Sequence, residues 1–218
     1  LPFICENGAS LVNSHLLRRE GGTGQIPVSN YVLGRDRTAL LAVWRDAIWP
    51  NLQENCIFLD DMDAAGQEDI LGLVGERLVR ALDRSHSALF TFKGTPMEFD
   101  LLQEQAVKAG LMVQCGGRVC ALSAPHDKAS FHNVIRQTAA DEGSASILVG
   151  FGDAQNDVSM LQNSDVACII PRPECQSLVL PDPPQMLVQA TTVAPLGWLE
   201  SAKQALHIIE KEHGEQHG

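Results

Sequence analysis

Three oxygen-bearing side chains stand close together in the segment GFGDAQNDVSML, residues 150–161. They belong to Asp153, Asn156 and Asp157, and they follow an apolar run that is typical of a strand covered on both faces. In open parallel sheets, ligands bind beyond the carboxyl ends of the strands. Carboxylate and amide oxygens suit a hard cation such as Mg²⁺, which takes one or two carboxylates and completes its shell with water and phosphate. The spacing therefore predicts a divalent-cation site here.

A helix cap is the alternative interpretation of Asn156 or Asp157, because both stand at the start of the next helical pattern. Asp153 fits that alternative less well. Gly150 and Gly152 precede it and allow another part of the chain to approach the backbone closely. The metal site is therefore the preferred interpretation of the group.

Composition excludes several classes of protein. The 218 residues are 44% hydrophobic and 20% charged, with a formal net charge of −11. This charge argues against a nucleic-acid partner, and no apolar run is long enough to predict membrane insertion. The six cysteines are scattered. We expect reduced thiols and a cytoplasmic protein, with a disulfide as the less favoured reading; Cys115 and Cys120 bracket a turn but lack metal-site spacing.

The elements that position the acidic group follow from hydrophobic periodicity. Residues 3–5 predict a short buried strand that ends in a turn, and 87–92 predict another strand. The pair Gly116-Gly117 between two extended runs predicts a hairpin. After Pro125, helix and strand patterns alternate through ILVGFG and VACII, which predicts a parallel sheet. The expected fold class is α/β, with a mixed lobe at 31–122 inserted between core segments 1–30 and 123–218.

Two segments carry a resemblance to a known family. GFGDAQNDVSML resembles the fourth motif of the haloacid-dehalogenase-like (HAD) phosphohydrolases, and PFICENGAS resembles the segment before the large inserted cap of their type IIB branch. With APLGW near the end, the chain is most similar to the mannosyl-3-phosphoglycerate phosphatases of that branch. The resemblance implies a HAD-like Rossmannoid core, whose N-terminal strands are missing from this chain, and an inserted α/β cap domain.

The resemblance also implies a mechanism and its residues. In the family, an aspartate forms an aspartyl phosphate while Mg²⁺ and a lysine neutralise the phosphoryl oxygens. By position, Asp153 resembles the metal ligand, and Asn156 and Asp157 would support it or bind through water. Lys128 resembles the phosphate-binding lysine, with an exposed first-turn lysine as the alternative. Asp127 stands where the family often has glycine, and it would pair with Lys128 and weaken its hold on phosphate.

The resemblance assigns substrate contacts to the cap. Arg84 and Ser87 would approach the anionic end of the substrate, with Lys93 beyond them. Asn7 and Gly8, after the first strand, would line the ligand cleft. The alternatives are ordinary surface polar residues and a plain turn.

The nucleophile motif of the family, Asp-x-Asp on the first strand, is not found in this chain. Asp61-Met62-Asp63 is rejected, because Ala64-Ala65 follows where a Gly-Thr-like turn is needed. We read Asp60, Asp61 and Asp63 as a solvated edge or the start of a helix. Three explanations stay open: a portion of a longer protein, a second segment or subunit that fills the gap, or a remnant that folds differently, for example as a strand-swapped dimer.

These observations predict a Mg²⁺-dependent phosphomonoester hydrolase whose substrate is a small phosphorylated sugar acid such as mannosyl-3-phosphoglycerate. The chain alone is expected to be inactive. The alternative is a non-catalytic binding or interaction protein derived from such a phosphatase.

Overall fold

A computed structural model describes residues 2–17, 30–116, 118–141, 146–173 and 176–215. Within them, contacts divide the chain into two units. The first unit contains 2–14 and 30–126, and the second contains 15–17 and 127–215. The structure is mixed α/β, as expected. Residues 2–14 thus group with 30–126, and residues 15–17 group with 127–215, while the domain bounds expected from the sequence stay a prediction.

The first unit begins with a small antiparallel sheet. Its strands are β1 (Phe3–Cys5), β2 (Ser10–Val12) and β3 (Asn30–Val32), in the order β1-β2-β3. The amides of Leu33 and Gly34 donate to the carbonyl of Ala9 and extend the pairing of β2 with β3. This pairing holds residues 2–14 in the first unit. The predicted strand at 3–5 is present, but its burial is not as expected, because Phe3 is 51% exposed.

A four-stranded antiparallel sheet forms the body of the first unit. Its strands are β4 (Cys56–Phe58), β5 (Ser87–Phe92), β6 (Met112–Gly116) and β7 (Val119–Ser123), in the order β4-β5-β7-β6. The helices of this unit are α1 (Arg37–Ala47), α2 (Pro50–Gln53), α3 (Ala64–Leu71), α4 (Glu76–Leu82) and α5 (Pro96–Lys108). The core packs Leu40 and Trp44 of α1 and Leu102 of α5 with Phe90 of β5 and Leu122 of β7. Apolar stripes at helical spacing bury α1 and α5 against the sheet.

The hairpin of β6 and β7 confirms the turn that the glycine pair predicted, although Gly117 lies outside the described residues. Cys115 and Cys120 are direct cross-strand partners and form a disulfide. The expectation of reduced thiols is therefore wrong for this pair. The sequence showed that the two cysteines flank a turn, but only the register of the strands places them opposite each other.

The second unit contains a parallel sheet, which confirms the prediction from the alternating patterns. Its strands are β8 (Val149–Gly152), β9 (Val166–Ile169) and β10 (Met186–Gln189), in the order β10-β9-β8. The helices are α6 (His132–Asp141), α7 (Val158–Gln162) and α8 (Leu196–Glu215). Within the described residues, β8 has one neighbour, β9, and lies at the sheet edge. None of the helices described in either unit is long and apolar enough to cross a membrane.

Candidate functional site

An ion pair lies beyond the carboxyl end of β8. Lys128 precedes α6, and its Nζ donates to Oδ1 of Asp157, in the 3-10 turn Gln155–Asp157 after β8. The side chain of Asp157 is 6% exposed and that of Lys128 is 32% exposed. A buried carboxylate needs a partner of opposite charge or several hydrogen bonds. The structure therefore brings two of the predicted site residues into direct contact, although 29 positions separate them.

The second oxygen of Asp157 closes the turn after β8. Its Oδ2 accepts hydrogen bonds from the backbone N–H groups of Asp153, at 3.0 Å, and Ala154, at 3.1 Å. Both carboxylate oxygens are thus occupied by protein donors. Asp157 behaves as a turn-closing cap that also orients Lys128.

A glycine makes this close approach feasible. A Cβ at Gly152 would lie 2.5 Å from Cβ of Asp157 and 3.0 Å from Cδ1 of Leu161. Such distances are shorter than atoms in a packed interior tolerate. The glycine ahead of Asp153 therefore lets the Asp157 turn fold back against β8.

Asp153 and Asn156 are more accessible than Asp157. The side chain of Asp153 is 51% exposed, and its Oδ2 lies 3.6 Å from Nε of Arg172. Asn156 is half-buried. Sequence reasoning missed Arg172, although one signal pointed to it. Arg172 follows β9, and β9 runs parallel to β8, so the carboxyl ends of the two strands lie side by side.

Two side chains after β8 carry oxygen atoms of the kind that Mg²⁺ takes as ligands. Asp153 offers a carboxylate with one neighbouring cation, and Asn156 offers an amide oxygen, both of which suit a hard cation. Among the described residues there is no group of three or more histidine, cysteine, aspartate or glutamate side chains placed to hold a metal ion. The set fits an ion that is held by one carboxylate and otherwise by water, phosphate or further groups.

Asp127 does not pair with Lys128, and the expectation that it would is wrong. Oδ1 of Asp127 accepts a hydrogen bond from the backbone N–H of Ala129 at 2.9 Å, and Oδ2 accepts one from the Ser159 hydroxyl at 2.7 Å. Its carboxylate therefore fixes the turn before α6 and joins it to α7. Lys128 therefore forms its ion pair with Asp157 instead.

A second polar group, in the first unit, contains the predicted substrate contacts Arg84 and Ser87. Nη1 of Arg84 donates to the Ser87 hydroxyl at 3.1 Å, and that hydroxyl donates to Oε2 of Glu6 at 2.6 Å. Glu6 also accepts from the backbone N–H groups of Ser85 and His86, at 2.9 and 3.0 Å. The Glu6 carboxylate thus fastens the turn after β1 to the start of β5.

Burial and hydrogen bonding act in opposite directions on these charges. Burial alone raises the pKa of Glu6, but the hydrogen bonds from Ser87, Ser85 and His86 together outweigh it and hold the pKa below the ordinary value of 4.5. Burial lowers the pKa of Arg84, and the neighbouring Glu6 charge opposes that effect. Glu6 was not among the predicted site residues, and its partners lie about 80 positions away, at separations of 79 to 81.

The remaining predicted residues lie in less specific surroundings. Asn7 and Gly8 belong to the turn after β1, where Asn7 has a φ of 56° and Gly8 is buried. The two residues thus form a turn, and their assignment to the ligand cleft stays a prediction. Lys93 is exposed and follows the last residue of β5. Ser87 is the first residue of that strand, so the two lie at opposite ends, roughly 20 Å apart at about 3.3 Å per residue.

The acidic segment 60–63, which the sequence excluded as the nucleophile motif, has structural contacts. The Asp63 side chain accepts a hydrogen bond from the backbone N–H of Gly66 and caps α3, which confirms the start of a helix there. Asp60 forms an ion pair with Arg37. Two of the three carboxylates in this segment thus have structural partners.

Comparison with known proteins gives one relevant similarity. No protein-family model matches the chain. The chain is 30% identical over 114 residues to the glucosyl-3-phosphoglycerate/mannosyl-3-phosphoglycerate phosphatase of Persephonella marina. The aligned region covers 50% of this chain and 41% of that protein, so the chain spans about two fifths of the length of the curated relative. The similarity relates about half of this chain to part of a protein that is named as a phosphatase.

Proposed function

We propose that this chain belongs to a Mg²⁺-dependent phosphomonoester hydrolase of the HAD-like kind, which acts on a small phosphorylated sugar acid such as mannosyl-3-phosphoglycerate. The observation that carries the proposal is the Lys128–Asp157 ion pair beyond the carboxyl end of β8. The similarity to the Persephonella marina phosphatase supports the same class of chemistry.

We assign a role to each residue of the site. Lys128 donates to phosphoryl oxygens and offsets the charge that builds on them. Asp157 orients Lys128 and holds the turn after β8 in place. Asp153 would hold Mg²⁺ with help from Asn156, and the ion would polarise the phosphoryl group. In the first unit, Arg84 and Ser87 would bind the anionic end of the substrate. No residue of this chain is assigned as the nucleophile.

The test measures phosphate release from mannosyl-3-phosphoglycerate by the protein made from its complete reading frame, with Mg²⁺ present. We expect Lys128→Met to lower kcat/KM by at least about a hundredfold, because the residue acts on transition-state charge. Lys203→Met, an exposed change on α8, is the matched control and leaves the rate unchanged. Equal rates for both variants would contradict the assignment of Lys128.

Two observations favour a second candidate, a binding protein without turnover. The charges of Lys128 and Asp157 neutralise each other, and Asp63 is used as a helix cap. This candidate predicts that the complete protein binds inorganic phosphate, weakened by Lys128→Met, without releasing phosphate from any ester. Phosphate release by the 218-residue chain alone, abolished by Asp61→Asn, would overturn both the expected inactivity of the chain and the rejection of Asp61.

A further inference from the structure

Two arginines line one surface concavity of the first unit. The concavity has a volume of about 600 Å³ and is lined by Arg37, Arg84, Ser85 and Asp60, among other residues. Arg37 is the first residue of α1, and Arg84 lies in the segment between α4 and β5. A smaller adjoining cavity shares Arg37, Asp60 and Arg84 and adds Ser87. Two arginines thus line a space of small-molecule size.

Arg84 has hydrogen-bonding capacity to spare. Its Nε donates to the carbonyl of Ala81 at 2.9 Å and its Nη1 donates to the Ser87 hydroxyl at 3.1 Å. Within the described residues it forms no ion pair, and its Nη2 has no hydrogen-bond partner. The Glu6 carboxylate reaches it only through Ser87. A half-buried guanidinium in this state gains from a further anionic acceptor.

Arg37 is also incompletely satisfied. It forms an ion pair with Asp60. Its Nε, however, is buried and has no hydrogen-bond partner in the part of the chain that the structure describes. A buried donor without an acceptor costs free energy, so an acceptor that reaches Nε is favoured. The side chain of Asp60 is 41% exposed, so solvent screens its attraction for Arg37 and a ligand competes with it readily.

The acidic residues of the concavity differ in their availability. Oδ1 of Asp36 accepts from the backbone N–H groups of Thr38 and Ala39 and caps α1, so this carboxylate is committed to the helix. Asp60 has no such backbone commitment among the described contacts. Asp60 is therefore the carboxylate that stands between the arginines and an incoming anion.

We propose that this concavity binds the carboxylate or phosphate group of a small anionic ligand between the guanidinium groups of Arg37 and Arg84, and that Asp60 is an internal counterion which the ligand displaces from Arg37. The proposal that an anion binds here depends only on the positions of Arg37, Arg84 and Asp60 around the concavity. The assignment of that anion to the acid end of a phosphorylated sugar acid rests on the proposed function. Arg37 then becomes a specificity residue that the sequence patterns did not indicate.

Calorimetric titration of the full chain with D-glycerate, a carboxylate probe, and with inorganic sulfate, a phosphate-like probe, tests the inference. We expect Arg37→Met to weaken binding of the preferred probe by about tenfold to a hundredfold, the range for lost charge-assisted hydrogen bonds. Asp60→Asn has the opposite effect and tightens binding at least about threefold, because the competing charge is removed. Arg80→Met is the matched control, since Arg80 pairs with Glu76 on the exposed face of α4, and it leaves affinity unchanged.

Several outcomes would overturn the inference. They are absence of measurable binding of either probe to the unaltered chain, equal affinity for Arg37→Met and Arg80→Met, and unchanged or weaker affinity after Asp60→Asn. If thermal unfolding shows that Arg37→Met is not folded, the Asp60→Asn result decides, because that variant keeps both arginines. Lys128→Met separates this inference from the proposed function: we expect it to keep glycerate affinity, whatever it does to phosphate release.

Discussion

At the residue scale, single carboxylates organise both polar groups of this protein. Asp157 joins Lys128 to the turn after β8, and Glu6 joins the turn after β1 to the start of β5. Each carboxylate uses both oxygens, and each accepts from backbone and side-chain donors together. For Glu6, these hydrogen bonds favour the ionised carboxylate, so protonation should weaken the contacts that it holds.

The pH dependence of stability tests this for Glu6. Its pKa is held below 4.5 in the folded protein, so its contribution is fully present above pH 4.5 and is lost as the pH falls through the lower folded value. We expect Glu6→Gln to reduce the free energy of unfolding near pH 7 by about 1 to 2 kcal/mol, a figure that allows for partial exposure. The difference between the two proteins should shrink progressively below pH 4.5. Urea unfolding across this range measures both effects.

The control for this experiment is Glu76→Gln. The side chain of Glu76 is 80% exposed, so its loss should change stability by less than about 0.5 kcal/mol. A Glu6→Gln difference that stays constant or grows as the pH falls would show that the carboxylate charge is not the source of its contribution.

At the element scale, the candidate site depends on how closely the turn after β8 folds back. Gly152→Ala introduces a methyl group 2.5 Å from Cβ of Asp157, and the backbone of β8 or the turn must shift to admit it. We expect a loss of about 1 to 3 kcal/mol in the free energy of unfolding. Because the shift displaces Asp157, phosphate binding through Lys128 should weaken as well. Urea unfolding and phosphate titration measure the two consequences.

Gly116→Ala is the matched change at an open position, where an added Cβ meets no atom within 4 Å. It should cost much less stability than Gly152→Ala and leave phosphate binding unaltered. Similar losses in both variants would mean that backbone freedom, and not the contact with Asp157, accounts for the glycine at 152.

Elements with a clear period or a turn signature could be predicted from the sequence, and elements set by distant pairing could not. The apolar run before Asp153 indicated β8 and its parallel sheet, and the glycine pair indicated the hairpin of β6 and β7. By contrast, β2 and β3 have three residues each. Strands this short show no periodicity. Their pairing, across a segment that the sequence indicated as a loop, places residues 2–14 in the same unit as β3.

The same distinction holds for the candidate site. Residue type and spacing were enough to single out Asp153, Asp157 and Lys128. They did not show that both carboxylate oxygens of Asp157 accept hydrogen bonds from protein donors, because that depends on which backbone N–H groups the turn presents. Nor did they indicate Arg172 or Arg37, since each finds its partner through the fold: Arg172 meets Asp153, and Arg37 meets Asp60.

At the scale of the whole molecule, each cluster of buried apolar side chains found among the described residues lies within one unit. Phe90, 0% exposed, belongs to the large cluster of the first unit, and Leu161, also 0% exposed, belongs to a cluster of the second. A core substitution should therefore act mainly on its own unit. We expect Leu161→Ala to cost about 2 to 5 kcal/mol and Phe90→Ala about 3 to 5 kcal/mol.

Amide hydrogen exchange resolved along the chain measures where each loss falls. Leu161→Ala should reduce protection in β8 and β9 while β5 and β7 keep theirs, and Phe90→Ala should do the reverse. The two variants serve as controls for each other, because each removes a fully buried side chain from a different cluster. If either one lowers protection equally in all four strands, the chain unfolds as one cooperative body. The phosphate and anion sites would then have to be tested in variants of matched overall stability.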